Sequence, residues 1–411
     1  MMKFGIGTVF TISSLFKTFS GMAISLFALS IIGPEKIGLW HAALILKPYL
    51  GFAQLGLTEG LGRELPFYMG KNRGAKVKRY VANAQIVTLM YTLVSILLTL
   101  LLTFLVAEGI EEKMVFVTAG VFISTMFVDN YLSSTYRSTS SFQDLSRVYI
   151  YSAIIGLLLI PLIYYYDFRG YMWLLLVHSL ISTILLVYFR PFKLKSKFDK
   201  LIYMATVKTG FPMLALNFLR SIPETYPKIL IIFFISTTAL GLTAPANAAL
   251  MAFGVLPAAL AKYFYPTITY QYGKDGNRYN LWLKIKQISG YLLLLGLAGL
   301  ISLTIIPYAI ENFFPKYAEA VYITMLAVGI GFLRMYSILY NVFNTLKSYR
   351  AQFKVSMTRN ILYLIIPSVM YFMDSKEDSL VMIFSGLLIA EFISTLVMIY
   401  FLYQVTHIKK S

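Results

Sequence analysis

Eight charged side chains set within the hydrophobic runs of this chain stand out: Lys17, Lys47, Arg220, Lys228 and Arg334, against Asp129, Glu224 and Glu391. Five cations minus three acids leave a surplus of two positive charges. In hydrocarbon each isolated charge costs at least ~2.5 kcal/mol, so such groups must face protein or water. Buried guanidinium and ammonium groups hold oxyanions by charge-assisted hydrogen bonds, and buried carboxylates either pair with them or carry protons. Arg220, Glu224 and Lys228 recur every fourth residue, which stacks them on one helix face where Glu224 neutralises only part of the charge. A structural ion pair or an interfacial anchor is the competing reading for each residue taken singly.

Composition sets the solvent in which these groups must be positioned. The chain of 411 residues is 58% hydrophobic and 13% charged, with a mean hydropathy of +0.71; a soluble protein of this length needs far more polar surface. Apolar runs long enough to cross a membrane as helix occur about twelve times. They cover Phe4–Ile32, Gly38–Leu61, Tyr80–Ala107, Met114–Tyr136, Val148–Tyr166, Tyr171–Phe189, Val207–Ile235, Leu240–Tyr265, Ile288–Ile310, Ala320–Leu346, Val355–Met373 and Leu380–Tyr403. The expectation is an all-α integral membrane protein, because a helix satisfies its own backbone in lipid. A transmembrane β-barrel would show short alternating segments instead. The first run is about twice the apolar core of a signal peptide and no small-residue cleavage motif follows, so it is expected to stay as a span.

The formal charge of +18 is distributed unevenly. Lys and Arg gather between Arg63 and Arg79, at Arg137 and Arg147, from Arg190 to Lys208, Lys274 to Lys286 and Lys347 to Lys354, and at Lys409–Lys410. The intervening loops are short and mixed or acidic, as in EGIEEK (Glu108–Lys113) and DSKEDS (Asp374–Ser379). That asymmetry predicts cytoplasmic basic loops and cytoplasmic termini, and it argues against a nucleic-acid partner. Without cysteine there is no disulfide or thiolate metal site. His41, His178 and His407 lack ligand spacing and read as helix-end or interfacial residues. No phosphate-loop, dinucleotide or HExxH motif occurs, so neither metal nor cofactor is expected, and ATP hydrolysis is disfavoured. An enzyme working on the outer face usually needs a large outer loop, and this chain has only short ones.

Sliding the chain against itself by 203 positions aligns Gly7 with Gly210, Gly38–Leu39 with Gly241–Leu242, Gly51 with Gly254, Leu57 with Leu260, and Gly70–Lys71 with Gly273–Lys274. Six crossings separate the copies, which predicts parallel repeats: an N-terminal six-helix lobe over 1–189, a basic cytoplasmic linker over 190–206, and a C-terminal six-helix lobe over 207–411. The same offset places Lys17 on Arg220. Each sits about 13 residues, or roughly 20 Å, from the cytoplasmic end of its span, too far to snorkel. Span 7 also holds Pro212, Pro223 and Pro227, so a kinked or bendable helix is expected there. Pro48 and Pro257 would add milder bends.

FALSIIGPEKIGLWHAAL (Phe27–Leu44), FAQLGLTEGLGRELPFYMGK (Phe52–Lys71) and FFPKYAEAVYITMLAVG (Phe313–Gly329) resemble bacterial O-antigen-type polysaccharide flippases, within the multidrug/oligosaccharidyl-lipid/polysaccharide exporter superfamily. The resemblance covers essentially the whole chain. It implies two six-helix lobes around a central cavity that opens alternately to either side of the bacterial inner membrane. The implied substrate is a polyprenyl-pyrophosphate-linked oligosaccharide carried to the periplasmic leaflet, its lipid tail remaining among membrane lipids. On that reading Lys17, Lys47, Arg220, Lys228 and Arg334 line the cavity and face the pyrophosphate, with Asn217, Asn341, Asn344 and Tyr336 toward the sugars. Other polysaccharide-assembly proteins are conceivable partners.

Glu59, Asp129, Glu224 and Glu391 are candidate proton carriers, and Glu59 with Arg63 would form part of the inner rim. These two lie one helical turn apart at the expected cytoplasmic end of span 2, before Pro66 and Gly70 stop the helix; a plain helix-end salt bridge is the alternative. Within the superfamily, a cation-coupled drug exporter would need buried acids in the first lobe, whereas span 1 offers Lys17 and no carboxylate. A lipid II flippase is similar in outline but longer, and a membrane enzyme on polyprenyl-linked sugars would need paired catalytic carboxylates at one membrane face.

Overall fold

The computed structural model describes residues 6–255, 277–373 and 378–407, with 257, 268 and 272; Leu260, Lys274 and Lys409–Lys410 lie outside the described residues, as do Phe4 and much of the span expected over Leu240–Tyr265. The described chain is helical, with α1 (Ile6–Ile31), α2 (Pro34–Ala43), α3 (Leu46–Phe52), α4 (Leu57–Gly70), α5 (Gly74–Val106), α6 (Ile110–Ser138), α7 (Phe142–Leu158), α8 (Pro161–Tyr188) and α9 (Lys200–Phe234). Then follow α10 (Thr237–Val255) and α11 (Arg278–Phe313), α12 (Val321–Met335), α13 (Tyr340–Thr345), α14 (Tyr349–Met373) and α15 (Ser379–His407).

Among the described residues nine helices are long and apolar enough to cross a membrane. Their packing is inverted relative to a soluble protein. On α5 the buried stripe is Ser95, Thr99 and Thr103, whereas Leu93, Leu97, Leu101, Phe104 and Leu105 face outward. Thr99 and Thr103 return their hydroxyls to the carbonyls of Ser95 and Thr99, at 2.8 and 2.7 Å, which satisfies them without leaving the helix. Thr99 then packs on Gly120 of α6, where a Cβ would collide with its side chain. Small residues at a helix seam and large apolar ones outside are what lipid selects, since hydrocarbon gives no drive to bury leucine.

The span expected over Gly38–Leu61 is three short helices. Leu55 and Gly56 break it with φ of 53° and 83°, and at Gly56 a Cβ would overlap the backbone of Gly210; only glycine meets both demands. The helix α4 then runs through Pro66 to Gly70, so the proline does not stop it. Asp167 (φ 49°, ψ −127°) interrupts α8. The chain reverses there, because a Cβ on Gly170 would overlap the Leu162 carbonyl, and the two spans expected over Val148–Tyr166 and Tyr171–Phe189 meet at this point. By contrast, α9 is helical throughout its 35 residues despite Pro212, Pro223 and Pro227.

Contacts group the chain into two units. One comprises the residues up to Ile32 together with Leu39–Phe218, the other Gly33–Gly38 together with the residues from Leu219 on, so the division falls within α9. Each has its own apolar core. In the first, Leu57, Leu61, Tyr136, Leu145 and Val148 are central; in the second, Leu292, Phe343, Val355 and Leu402 are. Residues 190–199 form no helix and are tied to α5 by Lys197 N–H to the Ala82 carbonyl at 3.2 Å and by Asn83 Nδ2 to the Asp199 carbonyl at 2.7 Å. Residues 200–206 already belong to α9.

Candidate functional site

In the first unit, α1 carries Lys17 against α7, with its ammonium 4.8 Å from the centre of the Tyr149 ring. Asp129 of α6 accepts a hydrogen bond from Thr183 Oγ1 at 2.7 Å, and its field reaches Lys17. The two do not form an ion pair. His178 lies in the middle of the second limb of α8, not at a helix end as expected from the sequence. Its Nε2 is 3.1 Å from Ser152 Oγ and 3.0 Å from the Ser152 carbonyl, and Ser152 Oγ lies 2.6 Å from Ser182 Oγ. Lys17 also acts electrostatically on His178, so α1, α6, α7 and α8 gather one polar group in an otherwise apolar lobe. His41 and His407 do fall in the last turns of α2 and α15.

In the second unit, Glu391 of α15 is 5% exposed and clamped by α14 and α12. Arg359 donates to its Oε2 at 2.9 Å, Arg334 Nε stands 3.7 Å from the same oxygen, and Tyr363 donates its hydroxyl to it. Arg334 also donates to Tyr363 Oη at 3.2 Å. Both guanidinium groups lie over the Tyr363 ring, at 5.9 and 5.3 Å, within cation–π range. Arg334, expected from the sequence to face an anion, is therefore held by an acid. Arg359 is the member that the sequence reading missed.

The other candidates are spread more widely. Arg220 is exposed and lies 6.0 Å from the Tyr340 ring; it forms no ion pair with Glu224, which is also exposed, as is Asn217. Lys228, Asn341, Asn344 and Tyr336 are half-buried. Lys47 sits in α3 with its ammonium 5.6 Å from the Phe122 ring. Glu59 falls in the first turn of α4, not at the end of a long helix, where a carboxylate complements the helix dipole. It does not pair with Arg63, which is exposed; Glu64, one position on, accepts from Thr209 Oγ1 at 3.2 Å. The second unit also contains a cavity of about 590 Å³ walled by Leu293, Leu297, Met325, Phe332 and Leu388 among others, and none of the candidate residues lines it.

No protein-family model matches the sequence, and no curated protein is similar to it in sequence. Solved structures are similar in fold. The lipid II flippase MurJ, in an inward closed conformation, superposes with a TM-score of 0.71 at 16% identity, over 95% of this chain and 86% of that one. An inward-facing multidrug-resistance MATE transporter of the MOP superfamily gives 0.67 at 14% identity, over 95% and 94%. A MATE transporter of Vibrio cholerae gives 0.60 at 14% identity, over 96% and 95%. This chain is thus a multi-pass membrane protein with the all-helical fold common to those transporters and that flippase.

Proposed function

We propose that the protein is a flippase: it moves a polyprenyl-pyrophosphate-linked oligosaccharide of the O-antigen repeat-unit type from the cytoplasmic to the periplasmic leaflet of a bacterial inner membrane. Alternating access is the mechanism, with Lys17 and Arg220 contacting the pyrophosphate. The observation that carries this reading is that neither cation forms an ion pair among the described residues, although Lys17 belongs to a helix long and apolar enough to cross a membrane and Arg220 to the 35-residue helix α9. An unpaired cation at that depth is tolerated where an anion or water reaches it. The fold, similar to that of the lipid II flippase MurJ, supports the same reading. Catalysis has no part in it, and no cofactor is required.

The decisive experiment reconstitutes the protein in vesicles with a fluorescent lipid-linked oligosaccharide and measures how fast the label becomes accessible on the opposite leaflet. Translocation without covalent change supports a flippase; covalent change would reveal an enzyme. The second reading, a cation-coupled drug exporter, is favoured by Asp129, a half-buried acid in the first unit held by a neutral hydroxyl. Export of cationic dyes driven by a proton or sodium gradient, with no lipid flipping, would select it.

A further inference from the structure

Two arginines of the second unit, Arg334 and Arg359, are served by one buried carboxylate. Glu391 offers them a single oxygen: Arg359, Tyr363 and the nearest nitrogen of Arg334 all converge on Oε2. A guanidinium carries five donors in a planar fork, so one shared oxygen leaves most of them unfilled. The Nε atoms of both Arg334 and Arg359 are buried without a hydrogen-bond partner. Accessibility runs the same way, since the side chains of Arg334 and Arg359 remain 24% and 20% exposed whereas that of Glu391 is 6% exposed. An arriving anion meets the cations first and the acid lies behind them. Tyr340 extends the array, because it feels the charges of Arg359, Glu391 and Arg220 together and its ring lies under Arg220.

We infer that Arg359, with Arg334 and Arg220, forms a binding site in the second unit for the phosphate-class oxyanion of a lipid headgroup, and that Glu391 is the resident counter-ion this oxyanion displaces from Arg359. The inference rests on the flippase reading for the identity of the lipid and adds the residues that read its charge. A pyrophosphate brings several oxygens to donors that now share one, and a planar fork matches them two at a time. Glu391 has a second task while the site is empty, because without it two buried guanidinium groups would stand uncompensated. Loading then exchanges one partner of Arg359 for another, and Glu391 keeps the Tyr363 hydroxyl.

The full chain in nanodiscs of phosphatidylcholine, titrated with farnesyl pyrophosphate, tests this. Inorganic pyrophosphate alone, and discs doped with phosphatidylglycerol, tell a lipid pyrophosphate from a free anion and from an ordinary anionic headgroup. Arg359→Ala should weaken farnesyl pyrophosphate binding roughly tenfold or more, and Arg359→Lys should also weaken it because the fork is lost. Glu391→Gln should tighten it several-fold. Arg147→Ala, which removes an exposed cation paired with Asp144, should leave it unchanged. Unaltered affinity in both Arg359 variants, an equal loss in Arg147→Ala, or weaker binding in a folded Glu391→Gln protein would each overturn the inference. Should Glu391→Gln fail to stay monodisperse, Arg359→Lys decides alone. Wild-type flipping with no effect of Arg359 variants on binding or flipping sinks this site only; absence of both binding and flipping in the wild type sinks the flippase reading as well.

Discussion

The polar group of the first unit and that of the second answer the same problem in opposite ways. Around Asp129 the acid takes a neutral hydroxyl from Thr183, and the nearby cation Lys17 rests on an aromatic face. Around Glu391 the acid is gripped by a guanidinium at 2.9 Å, with a second at 3.7 Å. The first arrangement leaves both charges available to something else. The second grips its acid, so an anion reaching it must compete with Glu391 for the guanidinium groups. The two units therefore differ in their electrostatics.

Transport is where this contrast should show its largest effect. Lys17→Ala and Arg220→Ala are each expected to abolish translocation in the vesicle assay while insertion into the membrane persists. Loss in both would make the two units joint readers of the charge. Normal flipping in Lys17→Ala alone would assign that role to the second unit, and normal flipping in both would remove these residues from the site.

Stability should separate the units next. Glu391→Leu strands Arg334 and Arg359, and breaking a buried pair from one side typically costs about 3–5 kcal/mol. Asp129→Asn keeps an acceptor for Thr183 and should cost about 1 kcal/mol, the net worth of an ordinary hydrogen bond. Unfolding in mixed micelles with rising denaturant measures both. Equal losses would mean that Asp129 is bound to Lys17 more tightly than its position indicates.

The sequence disclosed the all-helical architecture, and each of the eight charges falls in a helix. It did not disclose pairings. Arg359 sits ten residues into α14, close to the basic loop that ends at Lys354, where a single cation looks like interfacial trim. Its partner Glu391 is 32 residues away on the neighbouring helix, and only packing brings the two together. The identity of Arg334 as a clamped residue was hidden for the same reason. His178 was misread because its environment comes from Ser152 and Ser182 on either side of the Asp167 reversal, and no local spacing records that. Span 2 looked continuous because hydropathy is blind to φ, although Gly56 and the small residues around it were the trace of a backbone crossing.

An ion pair at the edge of the first unit calibrates both polar groups because it is exposed. Asp199 accepts from Arg79 at 2.8 Å and from the N–H groups of Leu201 and Ile202 at 3.1 and 3.2 Å, so it both caps α9 and ties residues 190–199 to α5. The Arg79 hydrogen bond, above all, holds its carboxyl below the ordinary carboxylate range. A group whose folded value is depressed adds stability above its unfolded value and loses it as pH falls through the folded one. Contacts of residues 190–199 should therefore be intact at neutral pH and loosen only below about pH 4. The size is the smallest of the set, since solvent screens an exposed pair. Hydrogen exchange over 190–205 at pH 6 and pH 3 measures it. Asp199→Asn, which keeps the cap but not the charge, should exchange faster than wild type at pH 6 and match it at pH 3; a persistent difference at pH 3 would mean that the aspartate acts through geometry and not through its charge.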